Sequence, residues 1–66
     1  MKVNKKVGKK LKKIRLKVDL TQKELAKKMK VTQGYISKIE NGATMPTVDF
    51  LLKIRNKFDV DLNSLL

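Results

Sequence analysis

The tightest constraint in this 66-residue chain is the distance between two of its helical stretches. Thr21-Gln22-Lys23-Glu24 has the pattern of a capping box, in which the Thr hydroxyl accepts from the Glu24 backbone while the Glu side chain reaches back. A helix therefore starts at Thr21 and runs through Leu25, Ala26 and Met29. After a break at Lys30-Val31, Thr32 is a second N-cap, Ile36 and Ile39 form the next apolar pair, and Asn41-Gly42 ends that helix with residues that tolerate left-handed geometry. Only about three residues join the two helices. So short a connection forbids a flat antiparallel pair and forces a steep crossing, where Ala26 supplies the small side chain that close backbone approach needs.

The rest of the chain also reads as helix. Val7, Leu11, Ile14 and Val18 fall four, three and four apart, one stripe among lysines, which predicts a first helix ended at Asp19-Leu20. Ala43-Thr44-Met45-Pro46 is a loop closed by Thr47 as N-cap, with Asp49 in the first turn of a further helix that carries Phe50, Leu51, Ile54 and Phe58. Val60, Leu62, Leu65 and Leu66 suffice for one or two more turns. Period-two alternation is absent and the β-branched residues are scattered, so no strand is predicted. The expectation is an all-α, compact five-helix fold, residues 1–66 forming a single domain whose first few lysine-rich residues fray.

Composition narrows the function classes. A chain of 66 residues buries too little surface to enclose both a core and a deep catalytic pocket, which favours a binding module over an enzyme. It has no cysteine and no histidine, so disulfides, thiolate metal sites and imidazole chemistry are excluded, and no cofactor or metal is expected. Its apolar runs never exceed three residues, which leaves no membrane span and suggests a cytosolic location. Seventeen Lys+Arg against six Asp+Glu give a net charge of +11 and a pI near 10.2. Residues 1–18 hold nine of the cations and no acid, whereas Asp49, Asp59 and Asp61 lie toward the other end. Such a surplus repels itself unless a polyanion is near, although lysines also serve simply to solvate helix faces.

The steep pair is a helix-turn-helix arrangement, spanning about residues 21–41. With Ile36 and Ile39 facing inward, Gln33, Gly34, Ser37 and Lys38 remain on the outward face as two adjacent i, i+4 rows. Gln pairs with an adenine edge, Lys donates to guanine O6 and N7, and Ser bonds several bases, so the face has base-reading chemistry; its plain alternative is a solvated polar surface.

The run LTQKELAKKMKVTQGYISKIENG followed by MPTVDFLLKIRNKFDVDLNSLL resembles the Cro/repressor-type helix-turn-helix family of bacterial and phage transcription regulators, over nearly the whole chain from about Val7 to Leu66. That resemblance implies five helices in a lambda-repressor-like DNA-binding domain, with the third helix in the major groove of double-stranded DNA and a homodimer on a roughly palindromic operator. It implies repression, base reading by Gln33, Gly34, Ser37 and Lys38, and backbone or groove contacts from Thr21, Gln22, Thr32, Tyr35 and Asn41, with Gln22 also bracing Gln33. Arg15 and Glu40 occupy the places of a structural ion pair. Val60, Leu62, Leu65 and Leu66 would form the dimer seam.

Two residues depart from the family's pattern. Lys30 stands where a left-handed glycine is usual, and Gly34 stands where a polar reader is common. Two other readings compete: an antitoxin or protein-interaction module of the same fold, and a cationic membrane-surface helix over residues 2–18, whose apolar stripe the core also needs.

Overall fold

Groups of apolar residues at helical spacing, each opened by a hydroxyl cap or closed by a left-handed stop, build the fold. In the computed structural model, which describes residues 2–60 with side chains from Lys6 onward, they form α1 (Lys2–Lys17), α2 (Gln22–Met29), α3 (Gln33–Glu40) and α4 (Val48–Phe58). The described residues contain no strand. They hold four helices; the fifth expected from Val60, Leu62, Leu65 and Leu66 falls almost wholly on residues 61–66, outside the described residues.

Three threonines start three helices by the same chemistry. Thr21, Thr32 and Thr47 accept at Oγ1 from the backbone N–H of Glu24, Tyr35 and Phe50, at 3.0, 3.1 and 3.1 Å. Each satisfies one of the amides a helix start leaves without a partner. At Thr21 the box is complete, because Glu24 Oε1 takes the Thr21 N–H at 2.8 Å. That backbone bond, and then the Thr21 hydroxyl, hold the Glu24 carboxyl below its ordinary range.

The helix ends repeat a second device. After α1, Asp19 takes φ 61°, its N–H donates to Leu16 O at 3.0 Å, and Leu20 N–H donates to Arg15 O at 3.0 Å. After α2, Lys30 takes φ 58° with the matching bonds Lys30 N–H to Lys27 O at 3.3 Å and Val31 N–H to Ala26 O at 3.0 Å. After α3, Gly42 at φ 79° does the same with Ile39 O, and Ala43 with Lys38 O. These are Schellman turns, and Leu20 and Val31, the residues beyond the left-handed position, pack on the core as the motif requires. Asp59, also left-handed at φ 52°, follows α4.

Two sequence expectations change here. Lysines are good helix formers, so α1 begins at Lys2, before its apolar stripe does. It ends at Lys17, and Val18, whose N–H still donates to Ile14 O at 3.1 Å, is 38% exposed rather than buried with the stripe. The buried face of α1 is instead Val7, Gly8, Leu11 and Arg15, with Ile14 half-buried.

The core joins Leu11 of α1 to Leu25, Ala26 and Met29 of α2, Ile36 and Ile39 of α3, and Phe50, Leu51 and Ile54 of α4. Each large side chain among them contributes about 1.5–3 kcal/mol by leaving water. α3 packs against both α1 and α2, so the helix with the polar outer face is held from two sides. Its contact with α1 is close because of Gly8. A Cβ there would collide with the Ile39 carbonyl oxygen and come within 2.9 Å of the Glu40 carbonyl oxygen.

Candidate nucleic-acid interface

α3 is clamped at both ends and along its inner face. Ile36 and Ile39 are fully buried. At the first turn, the Tyr35 ring stands edge-on to Phe50 of α4, with centroids 5.3 Å apart at 87°, and the Tyr35 hydroxyl accepts from Thr47 N–H at 3.3 Å. Edge-to-face geometry sets the positive rim of one ring against the negative face of the other, which fixes orientation as well as burying area. At the last turn, Arg15 of α1 donates through Nε to Glu40 Oε2 at 2.7 Å and through Nη2 to Oε1 at 3.1 Å. Gln22 Nε2 donates to the same Oε1 at 3.0 Å, and Arg15 Nη1 donates to Leu20 O at 2.8 Å.

The Glu40 side chain is 2% exposed, and this network answers its charge with three donors from two other helices. A planar guanidinium matches a carboxylate with two parallel bonds, so the pair fixes direction where an ammonium would fix only distance. No buried side-chain polar atom among the described residues lacks a partner. The network lies at the junction of α1, α2 and α3 and fixes the C-terminal end of α3 against the other two helices.

The clamps leave one face of α3 free. Gln33, Gly34 and Lys38 are exposed; Ser37 is half-buried, its hydroxyl accepting from Asn41 Nδ2 at 3.5 Å. No acidic side chain of α3 lies on this face, because its one acid, Glu40, is turned to Arg15. Exposed Thr21 and Thr32 flank it at the starts of α2 and α3, with their hydroxyls committed to capping, and Asn41 is exposed just past its end.

Gln22 and Tyr35 each make a contact within the fold. Half-buried Gln22 bonds Glu40 through its Nε2. Tyr35 is half-buried against Phe50 and fastens α3 to the start of α4. Gly8 was not singled out in the sequence at all, although its spacing of three from Leu11 puts it on the buried stripe of α1. Of the expected seam, Val60 is half-buried on the core, while Leu62, Leu65 and Leu66 lie outside the described residues.

A short α2, a left-handed turn at Lys30 and an α3 with a buried inner face and a polar outer one define a helix-turn-helix protein. The helix-turn-helix family model matches residues 11–65, and the chain belongs to that family. It is similar to the HTH-type transcriptional regulator ImmR of Bacillus subtilis (strain 168), with 38% identity over 60 residues that make up 91% of this chain and 47% of that protein. The chain thus spans about half the length of that curated relative. No solved structure matches it. No helix among the described residues is long and apolar enough to cross a membrane.

Proposed function

We propose that this chain is a sequence-specific double-stranded DNA-binding transcriptional regulator, a repressor that inserts α3 into the major groove of a palindromic operator as a homodimer. Residues 1–66 act as one DNA-binding unit, with the helix-turn-helix over about residues 21–41. The observation that carries the reading is the exposed row of Gln33, Gly34 and Lys38 on a helix locked by the Arg15, Gln22 and Glu40 network. A rigid helix presenting an amide and an ammonium, without an acid, offers bonds to adenine and guanine edges and no repulsion to phosphates. A net charge of +11 and the similarity to a transcriptional regulator agree with this.

In this reading Gln33, Gly34, Ser37 and Lys38 form the base-reading row. Thr21, Gln22, Thr32, Tyr35 and Asn41 bring backbone amides or side chains to phosphates or the groove, and Gln22 and Tyr35 also position α3. The second subunit is joined through Val60, Leu62, Leu65 and Leu66 and sets the half-site spacing at one helical turn. Selection from a random duplex pool tests it. A two-fold-related consensus is expected, and Gln33→Ala and Lys38→Ala should each relax the preference at particular base pairs while keeping most of the non-specific affinity. Enrichment of no sequence, or equal loss of specific and non-specific binding by both variants, would contradict the assignment.

A further inference from the structure

Three glycines occur in the chain, and two are required by the fold. Gly8 has no room for a Cβ against the α3 carbonyls, and Gly42 takes φ 79° in the turn after α3. Gly34 meets neither condition. It lies in the first turn of α3 without a positive φ, and a Cβ built on it would have Thr32 Oγ1 at 3.9 Å as its nearest neighbour, an ordinary contact. An alanine would fit there unopposed and would favour the helix, since glycine is a poor helix former. The folded monomer is therefore less stable for having Gly34, and nothing within it compensates.

Gly34 is exposed on the outer face of α3, next to Gln33 and, at i+3 and i+4, Ser37 and Lys38. Side chains on either side of a bare Cα make a notch about the width of a methyl group. The group that projects from base edges into the major groove and carries no hydrogen-bonding capacity is the C5-methyl of thymine. We infer that Gly34 is a steric specificity determinant: its missing side chain lets the α3 backbone close onto a thymine methyl, which fills the notch while Gln33 and Lys38 bond the neighbouring bases. This rests on the DNA-binding reading above. A Cβ at position 34 would occupy the volume of the methyl and hold the helix away from the groove floor, weakening the flanking contacts as well.

The test compares the wild-type chain, Gly34→Ala and Gly34→Ser on the duplex selected by the wild type and on the same duplex with each thymine replaced in turn by deoxyuridine, which lacks only the methyl. Thermal melts of the free proteins accompany the binding curves. The expected result has three parts: Gly34→Ala melts higher than wild type; wild type binds about fourfold more weakly when either of two symmetry-related methyls is removed, the worth of a single buried methyl group; and both variants bind the thymine duplex more weakly than wild type and no longer distinguish it from the deoxyuridine one at those positions. Wild-type affinity indifferent to every methyl, or variants that keep wild-type affinity and the same methyl dependence, would overturn the inference and leave the DNA-binding reading standing. A wild-type chain that selects no sequence would remove that reading, and this inference with it.

Discussion

Lys30 shows how a single residue's backbone can cost stability without disturbing a contact. Its φ of 58° is needed to turn the chain from α2 into α3, and its side chain is exposed, so nothing offsets the clash of a Cβ with its own carbonyl. Lys30→Gly should therefore stabilise the fold by about 1 kcal/mol, raising Tm in a thermal melt by about 4–8 °C for a domain of this size. A melting point at or below that of the wild type would show that the side chain has a role in the native state. Gly8 gives the opposite sign. Gly8→Ala places a methyl into backbone atoms of α3, which cannot rotate away, and should cost about 3 kcal/mol, the upper end of overpacking penalties. Chemical denaturation of the two variants against wild type measures both effects.

At the scale of elements, what the sequence makes legible is what neighbours in the chain decide. Thr21 with Glu24, Thr32 and Thr47 as caps, and Asn41-Gly42 as a stop, are all local, and each is found where its spacing puts it. Arg15 and Glu40 could be named as partners only through the family resemblance, since 25 residues separate them. The bond from Gln22 to Glu40, 18 residues apart, and the seat of Gly8 against α3 depend on how the helices cross, and no periodicity encodes that. The spacing of Val18 puts it beside Ile14, where it lies, but spacing alone does not encode how far the neighbouring helices cover it. The ion-pair network lends itself to a double-mutant cycle. Arg15→Met leaves the buried Glu40 carboxylate without its cation, with the Gln22 amide as its remaining donor, and should cost about 3–5 kcal/mol, whereas Arg15→Met with Glu40→Leu should recover most of that loss. Glu24 adds a pH test. Its carboxyl is held low in the folded state, so the cap's contribution is full above its unfolded pKa and fades as pH falls through the folded one. Melts of wild type should lose part of their stability in acid on this account, and Glu24→Gln should remove that part.

For the whole molecule the decisive quantity is the surplus of positive charge. If the proposed dimer neutralises about six to ten phosphates, its affinity for any duplex should fall by about three to five decades between 50 and 200 mM salt, and the log-log slope divided by about −0.9 counts the contacts. A slope near zero would be incompatible with the proposed mode of binding. The core is small and belongs to all four helices at once, so the orientation of the outer face of α3 is a property of the entire packed unit.

The junction of Arg15, Gln22, Leu20 and Glu40, with Gly8 seated beside it, also bears on how the molecule opens. The end of α3 cannot lift without breaking the bonds from Glu40 to Arg15 of α1 and Gln22 of α2, which couples the opening of the three helices. Their central amides should exchange hydrogen for deuterium together, at the rate of global unfolding, while α4, tied to this block through the Tyr35 and Phe50 rings and the Leu51 and Ile54 side chains, should show faster exchange toward its C-terminal turn. Such a block would carry its recognition helix already oriented into the encounter with DNA, with little conformational entropy left to lose on arrival.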